Sequence, residues 1–375
     1  MIYLDSAATT LQKPPSVARA VKRAVSTLAS PGRGGHGASM LAAKTVYECR
    51  ELAARLFNAP SPSRVIFTSN ATHGLNIAIK TLAARRAGCA LVSGYEHNSV
   101  MRPLRAAGVR TVIARSEPFE PESAVFAFEC ALEREDAAFA VLNHMSNVFG
   151  YILPAERIAE RCRERGVPLI LDASQSAGAA TVDMGSLGAE FIAMPGHKGL
   201  YGPQGTGILL CRGAADGIIQ GGTGSDSASD SMPGFPPDSL EAGTHNMPGI
   251  AGLREGIKFV LSRGEGRILE HGRGLMAMAE RELAVIPGVR VFGGRDFCRG
   301  GALSFFIDKM GCEEAASELS LRGFAVRAGL HCAPEAHRTA GTFETGTVRI
   351  SVSAFNTKRE LCGFADAVAE IARLA

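Results

Sequence analysis

A chain of 375 residues exceeds the roughly 250–300 residues at which one core usually stops growing, so two structural domains are expected. Its 46% hydrophobic and 21% charged residues are those of an ordinary folded protein, and 40 Lys plus Arg against 37 Asp plus Glu leave a formal charge of only +3. That balance, with no run of like charges, no Trp and five Tyr, argues against a nucleic-acid partner, and the lack of a signal-like N-terminus or membrane-length apolar stretch argues for a cytoplasmic protein.

After a helical pattern at 16–29, residues 64–210 alternate short apolar or β-branched runs with helical patterns. RVIFT (64–68), CALVSG (89–94), VRTVIA (109–114), AAFAVLN (137–143), VPLILD (167–172), EFIAM (190–194) and TGILL (206–210) read as strands, with helices between several of them, as at 71–86 and 154–165. The alternation predicts an α/β domain with a mostly parallel sheet, whose ligands sit beyond the carboxyl ends of the strands. Residues 221–239, GGTGSDSASDSMPGFPPDS, have the composition of a mobile loop and would suit a lid. Helices at 247–263, 268–285 and 313–322, strands at 289–292, 302–307 and 347–352, and a helix from 357 onward predict a smaller α+β domain. We therefore expect a large domain over 13–246 and a small one built from 1–12 with 247–375.

Nine scattered cysteines, an odd number without a CxxC pair, suit neither a disulfide framework nor a zinc site, and most are expected to be buried as small hydrophobes. Gly32-Arg33-Gly34-Gly35-His36-Gly37 fits G-x-G-x-x-G, but a helix rather than a strand precedes it, so the dinucleotide reading fails its context test. Asn70-Ala71-Thr72 fits a glycosylation sequon without the secretory context that reading needs.

Lys198 lies in Gly196-His197-Lys198-Gly199-Leu200-Tyr201-Gly202, between two strands. Glycine permits close backbone approach to a ligand, and a desolvated lysine becomes an imine-forming nucleophile; the plainer reading is a surface turn with a solvated lysine. Asp172 ends the apolar run VPLILD, where its carboxylate needs a cation such as a protonated pyridine nitrogen, or else caps the next helix. Thr72, in Ser69-Asn70-Ala71-Thr72, opens a helix after RVIFT and offers either an anion site or a simple cap. His97 follows CALVSG and either lies flat on an aromatic cofactor or is structural. Cys332, in Arg327-Ala328-Gly329-Leu330-His331-Cys332-Ala333, is an attacking sulfur favoured by His331 and Arg327, or an idle loop cysteine. Arg349 offers a fork to a carboxylate or to an interdomain salt bridge.

Together these residues, and the segment Tyr3-Leu4-Asp5-Ser6-Ala7-Ala8-Thr9-Thr10, resemble the fold-type I pyridoxal-phosphate enzymes of the class V aminotransferase group, in particular cysteine desulfurases of group II type. The resemblance runs to Phe355-Asn356-Thr357, almost the whole chain. It implies pyridoxal 5'-phosphate held as a Schiff base on Lys198, with Asp172 at the ring nitrogen, Gln175 at the phenolic oxygen and His97 stacked on the ring. It further implies phosphate contacts from Ala71, Thr72 and His197, and one from Thr244 donated by a second subunit, hence a homodimer. Asn147 and Arg349 fall on substrate-side positions, and Arg33 and Arg327 are expected beside them. Cys332 matches the cysteine that accepts sulfur as a persulfide.

The sequence departs from the pattern at Pro195, where a hydroxyl is common, and at Leu330, where a histidine is. The activity implied is conversion of L-cysteine to L-alanine, with sulfur passed to an acceptor protein for uses such as iron–sulfur cluster assembly. Alternatives are L-selenocysteine lyase, cysteine sulfinate lyase or transaminase chemistry on the same scaffold, and a non-catalytic sulfur carrier.

Overall fold

The computed structural model describes residues 1–32, 34–294 and 298–374. Its strands in chain order are β1 (Ile2–Tyr3), β2 (Val65–Thr68), β3 (Cys89–Ser93), β4 (Thr111–Ala114), β5 (Ala137–Asn143), β6 (Leu169–Asp172), β7 (Phe191–Pro195) and β8 (Gly207–Cys211). They continue with β9 (Val289–Phe292), β10 (Ala302–Ile307), β11 (Phe324–Ala325), β12 (Arg327–Gly329) and β13 (Thr347–Ser351).

The large sheet has the order β2-β8-β7-β6-β5-β3-β4. Strands β4, β3, β5, β6 and β7 run parallel, and every residue of β3, β6 and β7 is buried, as expected where helices cover both faces. The connection from β7 to β8 is too short for a crossover, so β8 returns antiparallel to β7 and pairs antiparallel with β2 as well. The turn between β7 and β8 carries Lys198. Asn143 pairs with Asp172 in register, so the carboxyl ends of β5 and β6 finish side by side. Between β3 and β5 the chain order reverses, and there an open α/β sheet leaves a crevice for a ligand.

Strands β12, β13, β10 and β9 form an antiparallel second sheet. Phe305, Ile350, Leu275, Met276 and Phe364 pack with Leu4 into a core of their own. Helix Met247–Arg263, placed with the smaller domain on sequence, buries Ile250, Leu253 and Ile257 in the larger core. Ala333 and Ala336, next to Cys332, also pack into the larger core. Helix Gly37–Phe57, capped by His36, follows directly on the glycine-rich motif that hid it in the sequence. Residues 221–239 are irregular up to a short 3-10 turn at Asp238–Leu240. Among the described residues no helix is long and apolar enough to cross a membrane.

Candidate active site

A cleft of about 500 Å3 opens over the carboxyl ends of β3, β5, β6 and β7. Ala71 and Thr72 reach it from the start of helix Ala71–Arg85, His97 from the end of β3, Asp172 and Gln175 from the end of β6, and His197 and Lys198 from the turn after β7. Asn147 and Pro195 complete the wall.

The Lys198 turn packs so closely that a Cβ at Gly199 would run into the Ala177 carbonyl, and one at Gly196 into the Thr206 hydroxyl. Burial pulls the Lys198 amine down to about 8, against the opposing pull of Asp172. Asp172 is 2% exposed, and its Oδ1 accepts the Ser174 backbone N–H at 2.9 Å. Gln175 Nε2 donates to the Ala7 carbonyl at 2.9 Å.

His97 caps helix Asn98–Ala106, where its Nδ1 accepts the Ser99 N–H at 3.0 Å. That bond leaves Nε2 to carry the proton of a neutral ring. Burial, with the nearby Lys198 charge, lowers the imidazole to about 4. Cap and cleft wall are thus one residue. Thr72 Oγ1 stands 3.1 Å from Ser99 Oγ, which joins two helix N-termini at one end of the cleft, where the helix dipoles favour an anion.

The N-terminal segment contributes more than the sequence reading gave it. Thr9 Oγ1 lies 3.0 Å from His197 Nδ1, and Lys13 Nζ donates to the His197 carbonyl at 2.8 Å. Asp5 Oδ1 accepts from Arg349 Nη2 at 2.6 Å, a salt bridge within the smaller domain and not the interdomain bridge that the sequence offered as an alternative. Arg349 Nη1 donates to the Asn147 carbonyl at 2.8 Å. Arg327 stands 3.9 Å from the other oxygen of Asp5. Glu96, fully buried beside His97, was also missed: its Oε1 accepts from Ser93 Oγ at 2.6 Å and from the Asn143 N–H at 2.8 Å. Its signal was a carboxylate two residues after the apolar run CALVSG.

Cys332 is exposed, unlike Cys49, Cys162 and Cys211, whose thiols burial pushes up to about 12. His331 (φ 49°) and Cys332 (φ 57°) are consecutive left-handed residues. Non-glycine residues there cost of order 1–3 kcal/mol each. Asn147 Nδ2 donates to the His331 carbonyl and the Asn98 N–H to the Cys332 carbonyl, both at 2.8 Å. Two such bonds are worth about 0.5–1.5 kcal/mol each net, so buried Ala333 and Ala336 must help to hold the turn. The Cys332 peptide is therefore fixed beside His97.

Burial argues against a charged His331 as the group that favours the thiolate. Its ring is 7% exposed, and burial next to Arg349 depresses it to about 2. Nε2 faces the Thr347 carbonyl at 3.2 Å, so it carries the proton of a neutral ring. Thr244 lines a different cavity, with Glu241, His245 and Phe67. Arg33 lies outside the described residues.

The model for class-V aminotransferases matches residues 2–364. The chain belongs to the class-V aminotransferase family. This family depends on pyridoxal phosphate. The chain is 32% identical to a probable cysteine desulfurase of Methanothermobacter thermautotrophicus, over 99% of this chain and 94% of that protein. It is 30% identical to a cysteine desulfurase of Salmonella gallinarum, over 100% of this chain and 94% of that protein. It superposes with a TM-score of 0.93 on the apo structure of a cysteine desulfurase from Thermococcus onnurineus, at 28% identity and covering 100% of this chain and 95% of that one. The cleft fits the family's coenzyme chemically, because an amine of lowered pKa, a buried carboxylate, a neutral imidazole and two helix N-termini face one space.

Proposed function

We propose that the protein is a pyridoxal-phosphate-dependent cysteine desulfurase that converts L-cysteine to L-alanine and keeps the sulfur as a persulfide on Cys332. When bound, pyridoxal phosphate supplies an aldehyde that condenses with amines and a ring that withdraws electrons. Lys198 would hold it covalently, and an amine near pKa 8 can also carry the proton taken from the substrate Cα. Asp172 would face the ring nitrogen and Gln175 the phenolic oxygen, while the neutral His97 ring would cover the ring face. Ala71, Thr72 and His197 would surround the phosphate, with no help from Pro195, which lacks a hydroxyl. Asn147 and Arg349 would orient the substrate carboxylate.

Cys332 Sγ attacks the substrate sulfur. The new S–S bond forms as the substrate Cβ–S bond breaks, with that electron pair staying on the carbon skeleton released as alanine. With His331 neutral, Arg327 is the remaining cation of the two assigned to the thiolate. The observation that carries this reading is the attachment of the exposed Cys332 turn to Asn98, one residue from His97 at the cleft.

The exposed Thr244, beside a cavity of about 830 Å3 outside the Lys198 cleft, supports a homodimer in which it serves the other copy's phosphate. An exposed Cys332 likewise suits transfer of sulfur to an acceptor protein. The test is the product ratio. Purified holoenzyme with L-cysteine and a reductant should release sulfide and alanine in equal amounts, whereas pyruvate and ammonia would refute the reading.

A further inference from the structure

We propose that Asp5 is a placeholder for the substrate carboxylate: it occupies the guanidinium of Arg349 until an amino-acid carboxylate takes that position, then moves to Arg327. The inference rests on the reading of Arg349 as the group that receives the substrate carboxylate.

Arg349 is 2% exposed and yet incompletely paired. Nη1 is spent on the Asn147 carbonyl at 2.8 Å and Nη2 on Asp5 Oδ1 at 2.6 Å, while the buried Nε has no partner. A guanidinium binds a carboxylate best through two parallel bonds, and the Nε–Nη2 edge is one of its two bidentate faces. Asp5 fills half of that edge. A buried N–H without an acceptor is costly, so the structure holds the edge in a state that a second carboxylate oxygen would improve.

Asp5 also has somewhere to go. Its Oδ2 is 3.9 Å from Nη1 of Arg327, a half-exposed side chain. Arg327 and Arg349 are register partners on β12 and β13, so both guanidiniums start from the same level of the sheet. The Asp5 backbone is held by a bridge to Ser351 and by the Tyr3 hydroxyl, 3.1 Å from its carbonyl, so exchange between the arginines needs only side-chain rotation. Two guanidiniums and one carboxylate leave one positive charge unbalanced, and an incoming carboxylate balances it. The Asn147 side chain lines the cleft, and its backbone carbonyl anchors Arg349, which ties this trio to the substrate space.

Asp5→Asn keeps the shape and removes the charge, leaving Arg349 a buried cation without a counter-ion. Melting of this variant should therefore become carboxylate-dependent. Propionate, which has neither the amine nor the thiol of cysteine, should raise its Tm saturably and raise that of the wild-type holoenzyme much less, with sodium chloride at equal ionic strength as the control. In the holoenzyme, KM for L-cysteine should fall about fivefold or more with a smaller change in kcat. Arg327→Gln should raise KM, and that effect should vanish in the Asp5→Asn background.

A fixed orienting role for Asp5 predicts the reverse, a raised KM in Asp5→Asn and no propionate effect on its Tm, and that result overturns the proposal. Arg349→Gln separates the two levels. If it leaves KM unchanged, the assignment of Arg349 fails and the proposal with it; if it raises KM and Asp5→Asn raises it too, only the role of Asp5 fails. A crystal structure of the wild-type protein with propionate decides the matter even if Asp5→Asn does not fold. Asp5 paired with Arg327 supports the proposal, and Asp5 still on Arg349 overturns it.

Discussion

The cleft floor on the large sheet and the turn that carries Cys332 adjoin, but they are held by different means. On the floor, side chains project from strand ends whose own residues are buried, and that burial sets their protonation. Lys198 falls to about 8, His97 to about 4, and Glu96 rises to about 8. The turn is exposed at its cysteine, left-handed at two residues, and pinned by hydrogen bonds from Asn98 and Asn147. Proton transfer gains from a dry, rigid floor. A thiol that must pass sulfur onward has to remain reachable, and the buried Cys49, Cys162 and Cys211 show what the interior does to a thiol.

If the two regions divide the work in this way, they can be broken separately. Lys198→Ala should cost the floor its nucleophile and proton carrier, lowering kcat/KM by about 10³–10⁴ and abolishing coenzyme fixation by borohydride. Steady-state kinetics and peptide mapping check both. Cys332→Ala should lower sulfide release roughly a hundredfold while the absorbance of the bound coenzyme is unchanged. A loss of that absorbance would show that the regions are not separable.

Glu96→Gln sharpens the account of the floor. The Glu96 carboxyl titrates near 8 when folded, against 4.5 in its ordinary state. The folded protein therefore binds the extra proton between those values, and wild-type stability should fall as pH rises from about 4.5 to 8. Removing the acid should raise Tm at pH 8.5 relative to wild type and do little at pH 4.5. A Tm difference independent of pH would contradict this. The smallest effect is expected from His331→Gln. A ring that is already neutral withdraws no charge on removal, so the pH profile of Cys332 alkylation should keep its midpoint.

The same contrast explains what the sequence made legible. Fully buried strands announce themselves as apolar runs, so all seven strands of the large sheet were readable, and β9, β10 and helix Met247–Arg263 were read with the ends that the structure gives them. Polar residues at the ends of those runs were then obvious candidates, and Thr72, His97, Asp172, Gln175, His197 and Lys198 do line one cleft. The N-terminal contribution was not readable. Asp5 and Arg349 meet across 344 positions, and no local pattern encodes such a contact. The protonation of His331 was not readable for a related reason, because a neighbour in sequence is not a charge in space until its burial is known. Helix Asn98–Ala106 contains Pro103, and its register against the Cys332 turn is a tertiary fact.

The most direct test of the account is to find where the sulfur goes. Holoenzyme given one equivalent of L-cysteine without reductant, then alkylated, digested and mapped by mass spectrometry, should carry one extra sulfur on the Cys332 peptide and none on the other eight cysteines. Sulfur on a different cysteine, or alanine formed with no sulfur retained on the chain, would contradict it.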